Sequence, residues 1–292
     1  MSFFSWLRNR ASNRSSRNRA QGRATMPRFR PQLEVLEGRD LPSTLTVTNN
    51  LDDGSKGSLR YEIGKARNRD TIFAPALDGQ TITLRGSELD IAKNLTIQGP
   101  GAGLLTISGG RGVTSINGVR VFEVEFHATV TLSGLTITGG GGTFYTAFSQ
   151  TNGFDNEGGG ILNLGTLTVS GCTVSGNYAD PNSANSYGGG IYNAGTLTVT
   201  GSTVSGNFAT YVSDVGLNPP PTNKGGGIYN AAGATLTVSN TTVSGNFAGS
   251  GGGGIYNAGT AAALTVLDST FSSNRPDNIF GPYADGGGNT FN

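Results

Sequence analysis

Apolar and hydroxyl residues alternate through most of this chain, in pieces only three to five residues long. The pattern starts at "TLTVT" (44–48) and continues through "DTIFAPAL" (70–77), "QTITL" (80–84), "LDIAKNLTI" (89–97) and "GLLTIS" (103–108). A two-residue period sends Leu, Ile and Val to one side and Thr to the other, as in a strand with one buried face. One segment breaks it. "GSLRYEIGKARN" (57–68) places Leu59, Ile63 and Ala66 on one helical face behind Ser58 as N-cap, and predicts a short amphipathic helix. A helix lying across a stack of strands would close its open apolar end.

The alternation then becomes a repeat. "GGGILNLGTLTVSGCTVSGNYA" (158–179) returns as "GGGIYNAGTLTVTGSTVSGNFA" (188–209), "GGGIYNAAGATLTVSNTTVSGNFA" (225–248) and "GGGIYNAGTAAALTVLDSTFSSNRP" (252–276). "TVTLSGLTITGG" (129–140) and, more loosely, "LTIQGPGAGLLTISGG" (95–110) are earlier copies. Leu167 to Thr173, Leu197 to Thr203, Leu236 to Thr242 and Leu264 to Thr270 are each six residues apart, while the spacers between copies vary freely. Constant pieces must register on their neighbours, and elastic pieces are loops. Each copy supplies three strands, around "GIYN", "LTV" and "TVS". One such turn cannot bury its own apolar side, so stacked turns pairing as parallel strands predict an all-β, single-stranded parallel β-helix of about seven rungs, about 30–35 Å long. The expected boundaries are a disordered Arg-rich leader (1–43), a cap with the first strands (44–94) and the repeats (95–292).

Inward columns are expected from Ile161, Ile191, Ile228 and Ile255; Leu167, Leu197, Leu236 and Leu264; and Val174, Val204, Val243 and Phe271. The Gly triplets would make tight corners. Asn163, Asn193, Asn230 and Asn257, and Asn177, Asn207, Asn246 and Asn274, are read as structural ladders at left-handed turns, with ligand binding as the alternative. Tyr192, Tyr229 and Tyr256 should face outward, with Leu162 in their place in the first copy. They are either a packing ladder or a surface for sugar rings.

Composition narrows the function classes. Forty-eight glycines without a strict G-X-Y period, with only 11 prolines, exclude collagen. Residues 1–40 carry nine Arg against three acidic residues, a balance of +6, and the remainder carries −5. A mildly acidic body argues against a nucleic-acid face on the folded part. Cys172 is the only cysteine, so no internal disulfide forms. No apolar run approaches the roughly 20 residues of a membrane span. Phe3, Phe4, Trp6 and Leu7 are too few for a Sec signal core and precede the positive charge instead of following it.

The "GGGI" blocks with "SGN" and "FSSN" resemble the GGA(I/L) and FxxN repeats of polymorphic outer-membrane proteins, and more broadly right-handed parallel β-helix proteins of the pectin-lyase-like superfamily. Phe271–Asn274 matches FxxN, where the other copies have Val. "TVTNNLDDGSKGSLRYEIGKA" (46–66) resembles the start of exported bacterial β-helix proteins. "RPQLEVLEGRDLPS" (30–43) resembles an N-terminal motif of exported proteins. The resemblance implies a right-handed coil and an extracytoplasmic location, secreted or at the cell surface.

It also raises catalysis. The clustered aspartates, G-H-G and R-I-K of galacturonan hydrolases have no counterpart here: His127, the only histidine, lies in "EFHAT". Calcium-dependent lyases need a carboxylate cluster and a nearby base. Asp155 and Glu157 are the best catalytic pair, and with Asp180 the best Ca²⁺ ligands, while Arg120 or Lys224 could be a base only if loops bring it near. The leading expectation is a non-catalytic rod without cofactor. It would present the loops 141–157, 178–187 and 208–224, with Tyr192, Tyr229, Tyr256, Tyr178 and Tyr211 as binding residues, to an extracellular polysaccharide or surface protein, in an adhesin-like or envelope role. The alternative is a polysaccharide lyase or hydrolase in a loop-walled groove, with Ca²⁺ as its ion.

Overall fold

The computed structural model describes residues 41–75, 77–111, 118–142, 155–179, 185–210 and 222–292, the Asp155 side chain excepted. Among them the chain forms an all-β parallel β-helix. Three long parallel sheets of nine, eight and seven strands run along the coil, joined at the corners by short turns. A central turn passes from the seven-stranded sheet (Ile191–Asn193) to the nine-stranded (Thr196–Thr200) and the eight-stranded (Thr203–Ser205). The nine-stranded sheet already includes Thr44–Thr46 and Asp70–Phe73, so turns of coil precede the repeat that the sequence makes visible. Those turns carry few of the recurring letters and differ in length.

Register is kept without slip. Leu167, Leu197, Leu236 and Leu264 stand side by side, as do Ile161, Ile191, Ile228 and Ile255, and Val174, Val204, Val243 and Phe271. None is more than 1 % exposed. A one-residue slip would turn every one of them outward, so the burial itself fixes the register. Outside, Thr71, Thr96, Thr131, Thr168, Thr198, Thr237 and Thr265 form the matching column.

Three polar ladders run through the interior. Asn163 Nδ2 donates to Asn193 Oδ1 (2.7 Å), Asn193 to Asn230 (2.7 Å) and Asn230 to Asn257 (2.9 Å). In the second ladder, Asn177 donates to Asn207 (3.0 Å), Asn207 to Asn246 (2.9 Å) and Asn246 to Asn274 (2.9 Å). The left-handed backbone belongs to Gly176, Gly206 and Gly245 just before these asparagines, not to the asparagines themselves. These amides are buried connectors between turns, and the left-handed step of the corner is taken by the residue before them. The third ladder did not stand out in the sequence. Ser202, Thr241 and Ser269 sit buried under the corner between the two larger sheets, each oxygen accepting from the backbone N–H of the residue one turn earlier.

The Gly triplet follows from packing at three successive points. Gly188 adopts φ 68°, in the left-handed region. A Cβ on Gly189 would stand 2.6 Å from Gly226 O, and one on Gly190 2.6 Å from Gly227 O and 3.0 Å from the Asn207 amide.

At the N-terminal end a helix, Leu59–Lys65, buries Leu59 and Ile63 with Ala66 behind them, all in the same core as the strands. Ser58 Oγ accepts from Tyr61 N–H (3.3 Å). Lys93 Nζ closes the other end on the carbonyls of Gly64 and Ala66 (2.9 Å each). Arg60 and the buried Asp52 form a two-point ion pair (2.7 and 3.1 Å), and Asp52 also accepts from Arg85 N–H (2.7 Å).

Candidate functional site

The variable spacers leave and re-enter the coil at one corner. Tyr178–Ala179, Phe208–Ala209 and Phe247–Ala248 pair as one three-stranded sheet on the leaving side. Asp155–Glu157, Asn185–Tyr187 and Asn223–Lys224 pair as another on the returning side. Their inward residues are small or amide: Ala179, Ala209 and Ala248 on one sheet, Asn156, Ser186 and Asn223 on the other, all buried. Asn156 Nδ2 reaches Gly142 O (2.8 Å). The two short sheets form a ridge along the coil, where the described ends of the spacers lie.

The outer side of the returning sheet carries Glu157, Tyr187 and Lys224 in register. Beside it runs the column Leu162, Tyr192, Tyr229, Tyr256 and Phe280. The two columns interlock one turn out of step. Glu157 hydrogen-bonds the Tyr192 hydroxyl. Tyr187 lies 4.9 Å from the Tyr229 ring centre, and Lys224 Nζ sits 4.8 Å above Tyr256. Burial first, then the Glu157 charge, pushes the Tyr192 hydroxyl above the ordinary range for a phenol.

The tyrosines stack ring on ring. Centroids are 5.2 Å apart for Tyr192–Tyr229, 5.3 Å for Tyr229–Tyr256 and 4.9 Å for Tyr256–Phe280, with the planes within 13° of parallel. Each inner ring spends both faces on its neighbours, so edges and hydroxyls are what it offers to a ligand. Tyr178 is enclosed likewise: the Arg111 guanidinium lies 3.8 Å from its ring centre, and Phe208 stacks 4.8 Å away. Tyr211 lies outside the described residues. Phe208 and Phe247 continue the Tyr178 column and Phe280 the Tyr192 column, and the interchange of Tyr and Phe at one place in the copies is the signal for the first of these.

The first turn of the ridge has a different character. Arg120 and Glu123 are buried there, joined by Nη1 to Oε2 at 2.8 Å. Arg120 Nε and Nη2 also donate to Glu157 O (3.2 and 2.9 Å), and Nε to Gly158 O (3.1 Å). The Arg120 guanidinium is thus engaged through all three of its nitrogens. Glu123 occupies the outward column between Asp90 and Leu162. Burial, with repulsion from Glu88, Glu125 and Asp90, outweighs the Arg120 charge and pushes its carboxyl up to about 7. The alternation in "RVFEVEF" could have marked Glu123 and Glu125 as outward residues, but nothing in it signals burial.

Of the Ca²⁺ candidates, Glu157 is turned to Tyr192, while Asp180 and the Asp155 side chain lie outside the described residues. Among the described residues no three Asp, Glu, His or Cys side chains converge as a metal site, and no helix is long and apolar enough to cross a membrane.

These features define a parallel β-helix solenoid with loops rooted on one ridge. Comparison of the chain with protein-family models, with curated proteins and with solved structures returned no match.

Proposed function

We propose that this protein is a non-catalytic, extracytoplasmic rod that displays three variable spacers side by side to a polysaccharide or surface protein. One observation carries the reading: three spacers of unequal length all end on strands in register, and begin at Gly141, bridged to Tyr178, and on the paired strands Tyr178–Ala179 and Phe208–Ala209, so their roots are held together on successive turns. A stiff scaffold under length-variable loops suits recognition, because loop changes leave the coil intact. The resemblance to polymorphic outer-membrane and pectin-lyase-like β-helices supports the location and the adhesin-like role. The test replaces residues 211–221 by a short Gly/Ser linker and passes both proteins over a polysaccharide and cell-surface array. Loss of one bound partner with unchanged thermal unfolding supports display, and unchanged binding across single replacements of all three spacers overturns it.

A second reading is favoured by Arg120, Glu123, Glu157 and Tyr192 meeting at the first turn of the ridge. It makes this a polysaccharide lyase or hydrolase with Glu123 as its acid. Short products from a polysaccharide panel incubated with Ca²⁺, absent in Glu123→Gln and Glu157→Ala, would establish it.

A further inference from the structure

We propose that Glu123 is a proton-operated anchor: protonated, it lets Arg120 hold the backbone at Glu157 and Gly158 closed on the coil, and ionised, it loosens that junction. The geometry is unusual for this chain. Arg120 reaches across from its own turn to the point where the first spacer re-enters, binding the Glu157 and Gly158 carbonyls with the same guanidinium that holds Glu123. Val121 and Phe122 N–H both donate to Gly160 O (3.0 Å each), so the junction rests on this short stretch. The corresponding junctions at Gly188 and Gly225 follow Tyr187 and Lys224, which stand against the Tyr229 and Tyr256 rings.

The groups facing Glu123 are nearly all acidic. Asp90 is its register partner on the neighbouring strand, Glu88 precedes that strand, and Glu125 lies two residues on, just past the end of its own strand. Arg120 is shared, its Nη1 also lying 3.5 Å from Glu88 Oε2. On the other side stands Leu162, with Glu157 and Tyr192 beyond. Glu123 Oε1 is buried with no hydrogen-bond partner, which costs far more for a carboxylate than for a neutral acid.

One guanidinium must thus serve more negative charge than it can balance, and the raised Glu123 pKa agrees with this. A carboxyl with its folded pKa above the unfolded one stabilises the fold most below the unfolded value, and that contribution is lost as pH rises through the folded value. The window here runs from about 4.5 to about 7. The base of this spacer is therefore pH-sensitive.

The test is amide hydrogen exchange at pH 5.5 and pH 8, corrected for intrinsic rates. Protection at Val121, Phe122 and Gly158–Ile161 should fall by about tenfold or more at the higher pH in the wild type. It should stay level in Glu123→Gln, and at Ile228–Asn230 in both proteins. Equal protection at the two pH values overturns the anchor, as does the same fall in Glu123→Gln. Greater protection at pH 8 also overturns it, because the ion pair with Arg120 would then be the stabilising form. If Glu123→Gln does not fold, a carboxyl-carbon NMR titration of the wild type decides: a midpoint near 7 supports the anchor and one below about 5 ends it.

Discussion

The turns before Gly158 and the four near-identical turns after it solve one problem in two ways. Both must hold adjacent turns together with buried polar groups. The later turns use one device repeatedly, an amide donating to the same amide on the next turn. The earlier turns use single charged contacts: Asp52 with Arg60 and the Arg85 N–H, Lys93 on the helix end, Arg120 on the Glu157 and Gly158 carbonyls. An amide ladder needs a neighbour carrying the same residue, which the repeat supplies. Turns that must also receive a helix and start the ridge have no identical neighbour, and their polar contacts are individually built. Stability in such a coil is close to a sum of turn and interface contributions. Damage should therefore spread along the ladder in one half and stay local in the other.

The strongest test is Asn207→Ala. Asn207 Oδ1 accepts from both Asn177 N–H and Nδ2, and its own Nδ2 donates to Val174 O and Asn246 Oδ1. Orphaning these buried groups should cost about 4 kcal/mol, read by denaturant unfolding. Hydrogen exchange should locate the loss in the turns on both sides. Next comes Asp52→Ala, which frees Arg60 and Arg85 N–H at the cap. Arg60 is 28 % exposed, so solvent recovers part of the loss and about 2 kcal/mol is expected. Exchange should rise only around the helix and the first strands. If Asp52→Ala lowers protection as far as Ile228, the contrast between the halves is wrong. Tyr229→Leu removes a ring stacked on both faces and should cost about 1–2 kcal/mol by thermal unfolding, without affecting turns beyond its contacts.

The same contrast decides what could be read from the sequence. Leu197, Val204 and Asn207 were legible because each occurs several times at constant spacing, which between strands means register, and Ile191 because an Ile follows every Gly triplet. The Ser202, Thr241 and Ser269 ladder was not, since Ser and Thr interchange in supplying the one oxygen. The helix was legible from its local period and Ser58, and the structure trims it to Leu59–Lys65. Arg120 and Glu123 were illegible as a pair: their burial depends on Glu88, Asp90 and Glu157, brought in from other turns, and no repeat announces them. Tyr192, Tyr229 and Tyr256 were placed on the correct face, but the sequence could not tell whether their rings lay open or against one another.

The smallest expected effect sharpens the comparison most. Thr198 lies in register between Thr168 and Thr237, as strictly aligned as Asn207 between Asn177 and Asn246. Alignment is therefore equal and environment is the variable. The Asn207 amide is fully buried, whereas Thr198 is half-buried on the outer face, where water competes for its hydroxyl. Thr198→Ala should change stability by no more than about 0.5 kcal/mol, chiefly through lost β-propensity. Calorimetry on Thr198→Ala and on a triple Thr168→Ala, Thr198→Ala, Thr237→Ala variant checks this, since independent outer positions should add. A triple variant that loses much more than three single ones would show a cooperative outer column. The division between a structural interior ladder and an outer column that merely repeats would then fall.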